Sequence, residues 1–598
     1  MKNKGITLIA LVLTIIILLI LSGITISNLT NTGIVKKAST AVANYKTSQL
    51  EEQIKLAKIE AEMYDNKSIK DVLIGNGTIT KEQSEQGIIK IDNETVLVTN
   101  YNGIKELSNK SKNGEDFTNQ CIYLLDDINC QATFNKDTGE LQEGESFVPI
   151  ANFNGTLEGN GYKIKNLYIK AENNGAAIIS NIKEQGTVKN LIVDAAYIEG
   201  SKEIGSIAGR NYGTISGCSL QNAKIIGNGD TTGTYIGGIC GLNHTGGTIT
   251  NCINKSEVKS ANKLCGGICG YSLGGNISNC TNYGKITGNL QVGGIAGDSE
   301  GAQDNIVSVS NCTNYGEINE EYNSKLWGSI GGITGCNYKY SEIINCTNKA
   351  NVYGVSQIVG GITGINHYIV KKCYNEGKIE VTRTEILSAT KWTMLGGICG
   401  YCVGNIEECG NIEEVKSNYN TKDDSDGVFI GGICGVISNQ SGKAIFDNTK
   451  ISKSYNYGTI TGFSYVGGIS GRISAKSSAE YCFNNGKVVG EIKTGGITGD
   501  IINKAIGCYN IGEIIGKSDY GAVCGAMYKT SQCENSYYLN TNGIKGVGSE
   551  GIIGLSDSII GKTKEELKQL AETLGDAYAQ DDSINNGYPY LKDNKPKK

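Results

Sequence analysis

Histidine and arginine, which carry most acid–base and phosphate chemistry near neutral pH, are nearly missing: the chain of 598 residues has only His244, His367, Arg210, Arg383 and Arg472. Neither histidine lies in an H-E-x-x-H frame, which sets two imidazoles one helical turn apart around zinc. Asn-His244-Thr-Gly and Asn-His367-Tyr read as solvent-exposed turns. Cys399-Gly-Tyr-Cys402 with Cys409 is part of a zinc pattern, without a second C-x-x-C pair or a neighbouring imidazole. The densest acidic group, Asp423, Asp424 and Asp426 before Gly427, opens like a calcium loop, but Ile433 stands where a bidentate Glu must close it. No catalytic residue, cofactor site or metal ligand is therefore expected, and the chain reads as a non-enzyme. Balanced charge, 55 Lys+Arg against 60 Asp+Glu, gives no basic face, so nucleic acid is not expected as a partner.

The cysteines carry a different message. One phrase of the form Ile-Gly-Gly-Ile-Cys-Gly recurs from Ile204–Gly209 to Tyr520–Gly525, its first glycine at 205, 237, 266, 293, 331, 360, 396, 431, 467, 495 and 521. A second phrase follows each, with Cys at 218, 252, 280, 312, 346, 373, 409, 482, 508 and 533, and Ser454 in the one vacancy. Two residues after it stands Asn at 254, 282, 314, 348, 375, 411, 456, 484, 510 and 535, with Leu220 in the first copy. Cys240, Cys269, Cys399, Cys434 and Cys524 share another position. Fixed spacing between phrases of variable separation means that like residues stack, one repeat above the next. The parallel direction of stacked thiols disfavours disulfide geometry, so the cysteines read as buried small hydrophobes.

Elements that could hold such columns must be short. Each repeat offers three β-branched pieces parted by Gly and Asn, with no apolar run of helical period. With 82 Gly and 3 Pro, collagen is excluded. Like residues on like require parallel, in-register neighbours, so the expected fold is all-β, a right-handed parallel β-helix (solenoid). Asn at the stacked turn is expected both to adopt left-handed backbone and to pass amide bonds from coil to coil. The phrases resemble the GLUG repeat over about residues 200–540, known in bacterial surface proteins including some immunoglobulin A peptidases. Phe153 to Leu167 resembles the opening coils of secreted β-helix adhesins.

At the start, Lys2 and Lys4 precede a charge-free apolar stretch from Ile6 to Ile26, long enough to span a bilayer. Helical spacing of Ile34, Ala38, Ala41, Val42 and Tyr45 continues beyond it to Glu62. Lys4-Gly5-Ile6-Thr7-Leu8 resembles the leader of type IV prepilins, which implies cleavage between Gly5 and Ile6 by a prepilin peptidase and N-methylation of Ile6. Ala10 stands where pilins carry Glu. The fold is thus expected to begin with a long α-helix whose first half is transmembrane. The expected divisions are 1–65, leader, membrane helix and stalk; 66–150, cap of the β-helix; 151–545, the β-helix; and 546–598, a closing cap. In the last, Thr563 and Glu566 form a capping box before Leu567, Leu570, Ala571 and Leu574.

These features point to a noncatalytic, cell-surface, adhesin-like rod, held by residues 6–26 with its bulk outside the cell. The expected partners are the prepilin peptidase, pilus assembly machinery, and a host or cell-surface glycan or protein ligand. The insertions near 300–310, 320–328, 381–394 and 413–428 are the expected contact loops. The alternatives are a minor pilin or pseudopilin at a type IV pilus tip, and an anchored polysaccharide-active β-helix enzyme.

Overall fold

The computed structural model describes residues 49–64, 67–171, 175–229, 233–261, 264–321, 328–355, 357–382, 392–419, 427–439, 445–541, 543–552, 554 and 556–597. The apolar run 6–26, the processing pair Gly5 and Ile6, Arg383, and Asp423, Asp424 and Asp426 lie outside the described residues. Among the described residues no helix is long and apolar enough to cross a membrane.

Short β-branched pieces ended by Gly or Asn cannot propagate a helix, and here they pair edge to edge as a parallel β-solenoid. A representative coil runs through Tyr235–Gly237, Cys240–His244, Thr248–Thr250 and Ile253–Ser260, one strand on each of four ladders. Leu264–Gly266 then returns to the first ladder, with Tyr235 opposite Leu264, Ile236 opposite Cys265 and Gly237 opposite Gly266. The three pieces expected per repeat become four sides, because Gly-Gly splits one apolar phrase between two ladders. In later coils the fourth side divides again, as in Thr281–Asn282 and Ile286–Gly288, so that the fourth ladder holds 25 strands against 11 in the first. Ile236, Ile239, Cys240, Ile249, Cys252 and Val258 point inward and are fully buried, and every later coil repeats the pattern in one continuous core.

Two asparagines divide the work expected of one. Asn251, Asn279, Asn311 and Asn345, each just before the column cysteine, have φ between 53° and 55° and make the left-handed turn. The asparagine two residues after the cysteine is buried. Its Nδ2 donates to Oδ1 of the next coil's asparagine at 2.7 to 2.9 Å from Asn254 through Asn510. Asn314, for example, also donates to Gly316 O at 3.0 Å and accepts from Gly316 N–H at 3.1 Å. Every side-chain bond of the amide is thereby used inside the core.

The doubled glycine follows from this amide row. A Cβ on Gly332 would lie 2.2 Å from Gly361 O and 2.3 Å from Cγ of Asn348. Equivalent contacts recur from Gly238 against Asn254 to Gly496 against Asn510. Where the ladder lacks Asn, at Leu220 and Tyr538, the second glycine is replaced by Ser206 and Ala522. The last repeat departs from the expected columns. Cys533 lies opposite Ala505 on the third ladder, Asn535 is an exposed left-handed turn residue, and Tyr538 lies opposite Asn510. Three residues fewer than the register requires separate Cys508 from Cys533, so Ser536 takes the cysteine's place.

Both flanks are dressed. A helix over 49–63, the described end of the expected stalk, packs Leu50, Ile54 and Ala57 on Val72, Leu73 and Leu97. Strands Thr95–Val98 and Cys121–Leu124 are already parallel members of the third ladder. Past the last solenoid strands, Val547–Glu550 and Ile559–Lys562, the capping box of Thr563 and Glu566 starts helix Lys564–Lys568. Leu567, Leu570, Ala571 and Leu574 bury against Tyr455, Phe483, Tyr509 and Tyr537 on the flank of the fourth ladder. The chain continues backwards along that flank as a strap. Asn585 Nδ2 donates to Tyr509 Oη at 2.9 Å, Asn594 Nδ2 donates to Lys453 O at 2.9 Å, and Lys597 Nζ lies 3.6 Å from the Tyr374 ring centroid.

Candidate functional site

The residues whose chemistry the sequence flagged are dispersed. Cys399 and Cys402 bond to the carbonyls of Tyr401 and Gly404 at 3.2 Å, and Cys409 bonds to Glu407 O at 3.2 Å on another side of the coil. Among the described residues no group of three or more His, Cys, Asp or Glu is placed to hold a metal. Burial pushes the thiols of Cys218, Cys280, Cys346 and Cys373 well up, so they pack as neutral groups. His244 ends strand Cys240–His244 instead of standing in a turn, and is partly exposed, its ring stacked 4.7 Å from Tyr212. His367 is not exposed: it is buried, lying flat against Tyr338 at 5.5 Å, in a two-residue bend too short to carry it away from the preceding coil.

Outward chemistry gathers instead where the first and second ladders meet. The third glycine of each phrase lets the two strands approach: a Cβ on Gly335 would lie 2.5 Å from Val292 N of the preceding coil. The side chain two residues before the first glycine and the one just after the third glycine therefore face one furrow along the solenoid. The first row reads Glu203, Tyr235, Leu264, Gln291, Ser329, Ile358, Met394, Phe429, Tyr465, Lys493 and Asp519. The second reads Arg210, Leu242, Tyr271, Asp298, Cys336, Ile365, Tyr401, Val436, Arg472, Asp500 and Ala526. At one end Glu203, Arg210, Tyr235 and His244 line a cavity of about 330 Å³, with Arg210 Nη2 2.7 Å from Glu203 Oε1.

At the other end lies an aromatic and cationic band. Phe429 and Tyr465 rings are 4.7 Å apart, Trp392 meets Phe429 edge-on at 6.2 Å, and the Arg472 guanidinium lies 4.6 Å and 4.8 Å from the Phe429 and Tyr465 centroids. Arg472 Nε and Nη2 grip the fully buried Asp500 at 2.9 Å and 2.7 Å. Burial opposes the charge of Arg472, and Asp500 more than restores it, so its pKa moves up. Lys493 Nζ reaches Tyr465 Oη at 3.2 Å and Tyr528 Oη at 3.4 Å. Trp392 and Tyr528 stay 52% and 38% exposed, so flat apolar faces and polar tips meet solvent together. Sequence reasoning missed this band, although its signal was present: the outward position two before each first glycine is aromatic or basic in three successive coils, at Phe429, Tyr465 and Lys493.

Midway along the furrow sit two carboxyls on one strand, Asp298 and Glu300, with Tyr271 Oη bonded to Glu300. Burial, then the charge of Glu300, holds the Asp298 carboxyl well above the usual range. Two neighbouring carboxyls, one held protonated, are the pairing that glycoside cleavage uses. Asp298, however, is only 3% exposed, out of reach of a glycosidic oxygen.

No family model matches the chain. Over 134 residues, 21% of this chain, it is 34% identical to halomucin of Haloquadratum walsbyi, and the match spans 1% of halomucin's length. A solved structure from Bacteroides ovatus, described as a candidate immunoglobulin A1 protease, aligns over 58% of this chain and 85% of that one, with 17% identity and a TM-score of 0.31.

Proposed function

We propose that the chain is a noncatalytic, surface-displayed binding rod: a right-handed β-solenoid carried outside the cell by residues 6–26, with prepilin-type processing between Gly5 and Ile6, that contacts host or cell-surface glycans through its furrow. The observation that carries this reading is the band of Trp392, Tyr465 and Tyr528 around Arg472 and Lys493, with Trp392 and Tyr528 exposed. Such rings offer large contact area at small entropy cost, and their polar tips supply directed bonds. A repeated face also lets weak contacts add, since the second engagement is intramolecular. The halomucin match accords with a surface role. Binding of the detergent-solubilised full chain to immobilised glycans tests the reading. Retention that falls at least tenfold in a Trp392→Ala, Tyr465→Ala double variant is expected. Retention that ignores both substitutions, or release of shortened oligosaccharides by the wild type, would overturn it.

A further inference from the structure

Charge bookkeeping in the band leaves one cation over. Of its two cations, Arg472 is held by Asp500 through both Nε and Nη2. The nearby Glu491 is engaged by Lys517 at 2.7 Å. Asp519 occupies the position of Lys493 one coil further on and forms no ion pair with it. Lys493 therefore pairs with no carboxylate among the described residues. Its ammonium lies 4.6 Å from the Tyr465 centroid and 6.0 Å from that of Tyr528, with both hydroxyls as its polar contacts. Tyr528 Oη in turn reaches Asp500 Oδ2 at 3.3 Å, which fixes the second ring.

Lys493 is held in place by its backbone as well. Its φ is 51°, a left-handed value shared with Tyr465 and Asp519 in the same row, so this row steps out of the strand toward the furrow. The ammonium has three N–H donors and two hydroxyl contacts, which leaves a donor for an incoming anion. The surroundings are two flat rings and a third, Trp392, further along the furrow. A linear chain of six-membered sugar rings, each about as long as a coil is thick, would set successive rings on successive coils.

Resting on the furrow reading above, we infer that Lys493, framed by Tyr465 and Tyr528, is a subsite for the anionic group of an acidic glycan, a carboxylated or sulfated pyranose lying against the aromatic rings. Arg472 is a positioning residue: its contact with both Phe429 and Tyr465 fixes the platform, while its charge is already matched by Asp500.

The test uses the full chain in detergent and four probes of equal length: a hexagalacturonate, a sulfated hexasaccharide, a neutral β-linked hexaose and hexaglutamate. The carboxylated or the sulfated glycan should bind at least tenfold more tightly than the neutral one, and the better of the two names the anion. Lys493→Met should abolish that preference and flatten the salt dependence, with the melting curve unchanged, while Lys493→Arg keeps both. Equal binding of acidic and neutral glycans, still lost in Tyr465→Ala, would overturn the anion subsite and leave the furrow reading standing. Binding of none of the glycans would overturn both. Hexaglutamate binding as tightly as the acidic glycans would overturn the sugar assignment.

Discussion

At the residue scale, the amide row is the most constrained feature of the chain. Asn314 takes part in four side-chain bonds: one from Asn282, one to Asn348, and two with Gly316. Leucine has similar volume and none of these groups, so Asn314→Leu strands buried donors and acceptors on three residues. The expected cost is on the order of 3 kcal/mol, read from guanidinium unfolding of the full chain. A loss below about 0.5 kcal/mol would mean that water satisfies the row. Asp298 gives a test of opposite sign. Burial, then Glu300, keeps its carboxyl protonated in the folded chain, whereas the unfolded chain releases that proton above about pH 4. The unfolded state then binds fewer protons, so this residue lowers stability as pH rises from about 4 until its folded form ionises too. Asp298→Asn should therefore be more stable than wild type at pH 7 and equal to it at pH 3 by thermal melting; equal melting at both would contradict the assigned protonation.

At the element scale, the glycines decide how strands turn and how closely they pack. Gly332 faces the Asn348 amide, and a methyl there would meet the Gly361 carbonyl at 2.2 Å. Gly332→Ala should cost several kcal/mol, about 3 or more, whereas Gly75→Ala, at a helix end with nothing within 4 Å, should be neutral or slightly stabilising. Calorimetry of both variants checks the contrast. Much of this element logic was legible in the sequence, because Cys, Asn and the glycine phrase recur at fixed offsets and parallel stacking converts offsets into columns. What could not be read was which asparagine makes the turn and which makes the bond, since both flank the same cysteine. Nor was the register of the last coil legible, because Cys533 and Asn535 keep the usual two-residue offset while sitting three residues out of step. The furrow was hidden for another reason: its residues differ from coil to coil, so no repeat marks them, and only the approach of two ladders at Gly335 and its equivalents brings them together.

At the scale of the whole molecule, the described solenoid is one structure in which sequence separation and distance are decoupled. Coils lengthen where insertions occur, yet each adds one strand thickness to the axis. The aromatic strap on the fourth ladder and the furrow at the first and second lie on different sides, so the chain can close one flank without covering the other. Paired spin labels at Lys189 and Glu534 read this geometry directly. The two positions share the outer face of the third ladder, eleven steps apart. At ~4.8 Å per step the account predicts a single narrow distance near 53 Å, and near 29 Å for Lys189 with Lys371. A broad distribution, or distances that scale with the number of intervening residues rather than with coils, would contradict the stacked columns on which the furrow and its proposed role depend.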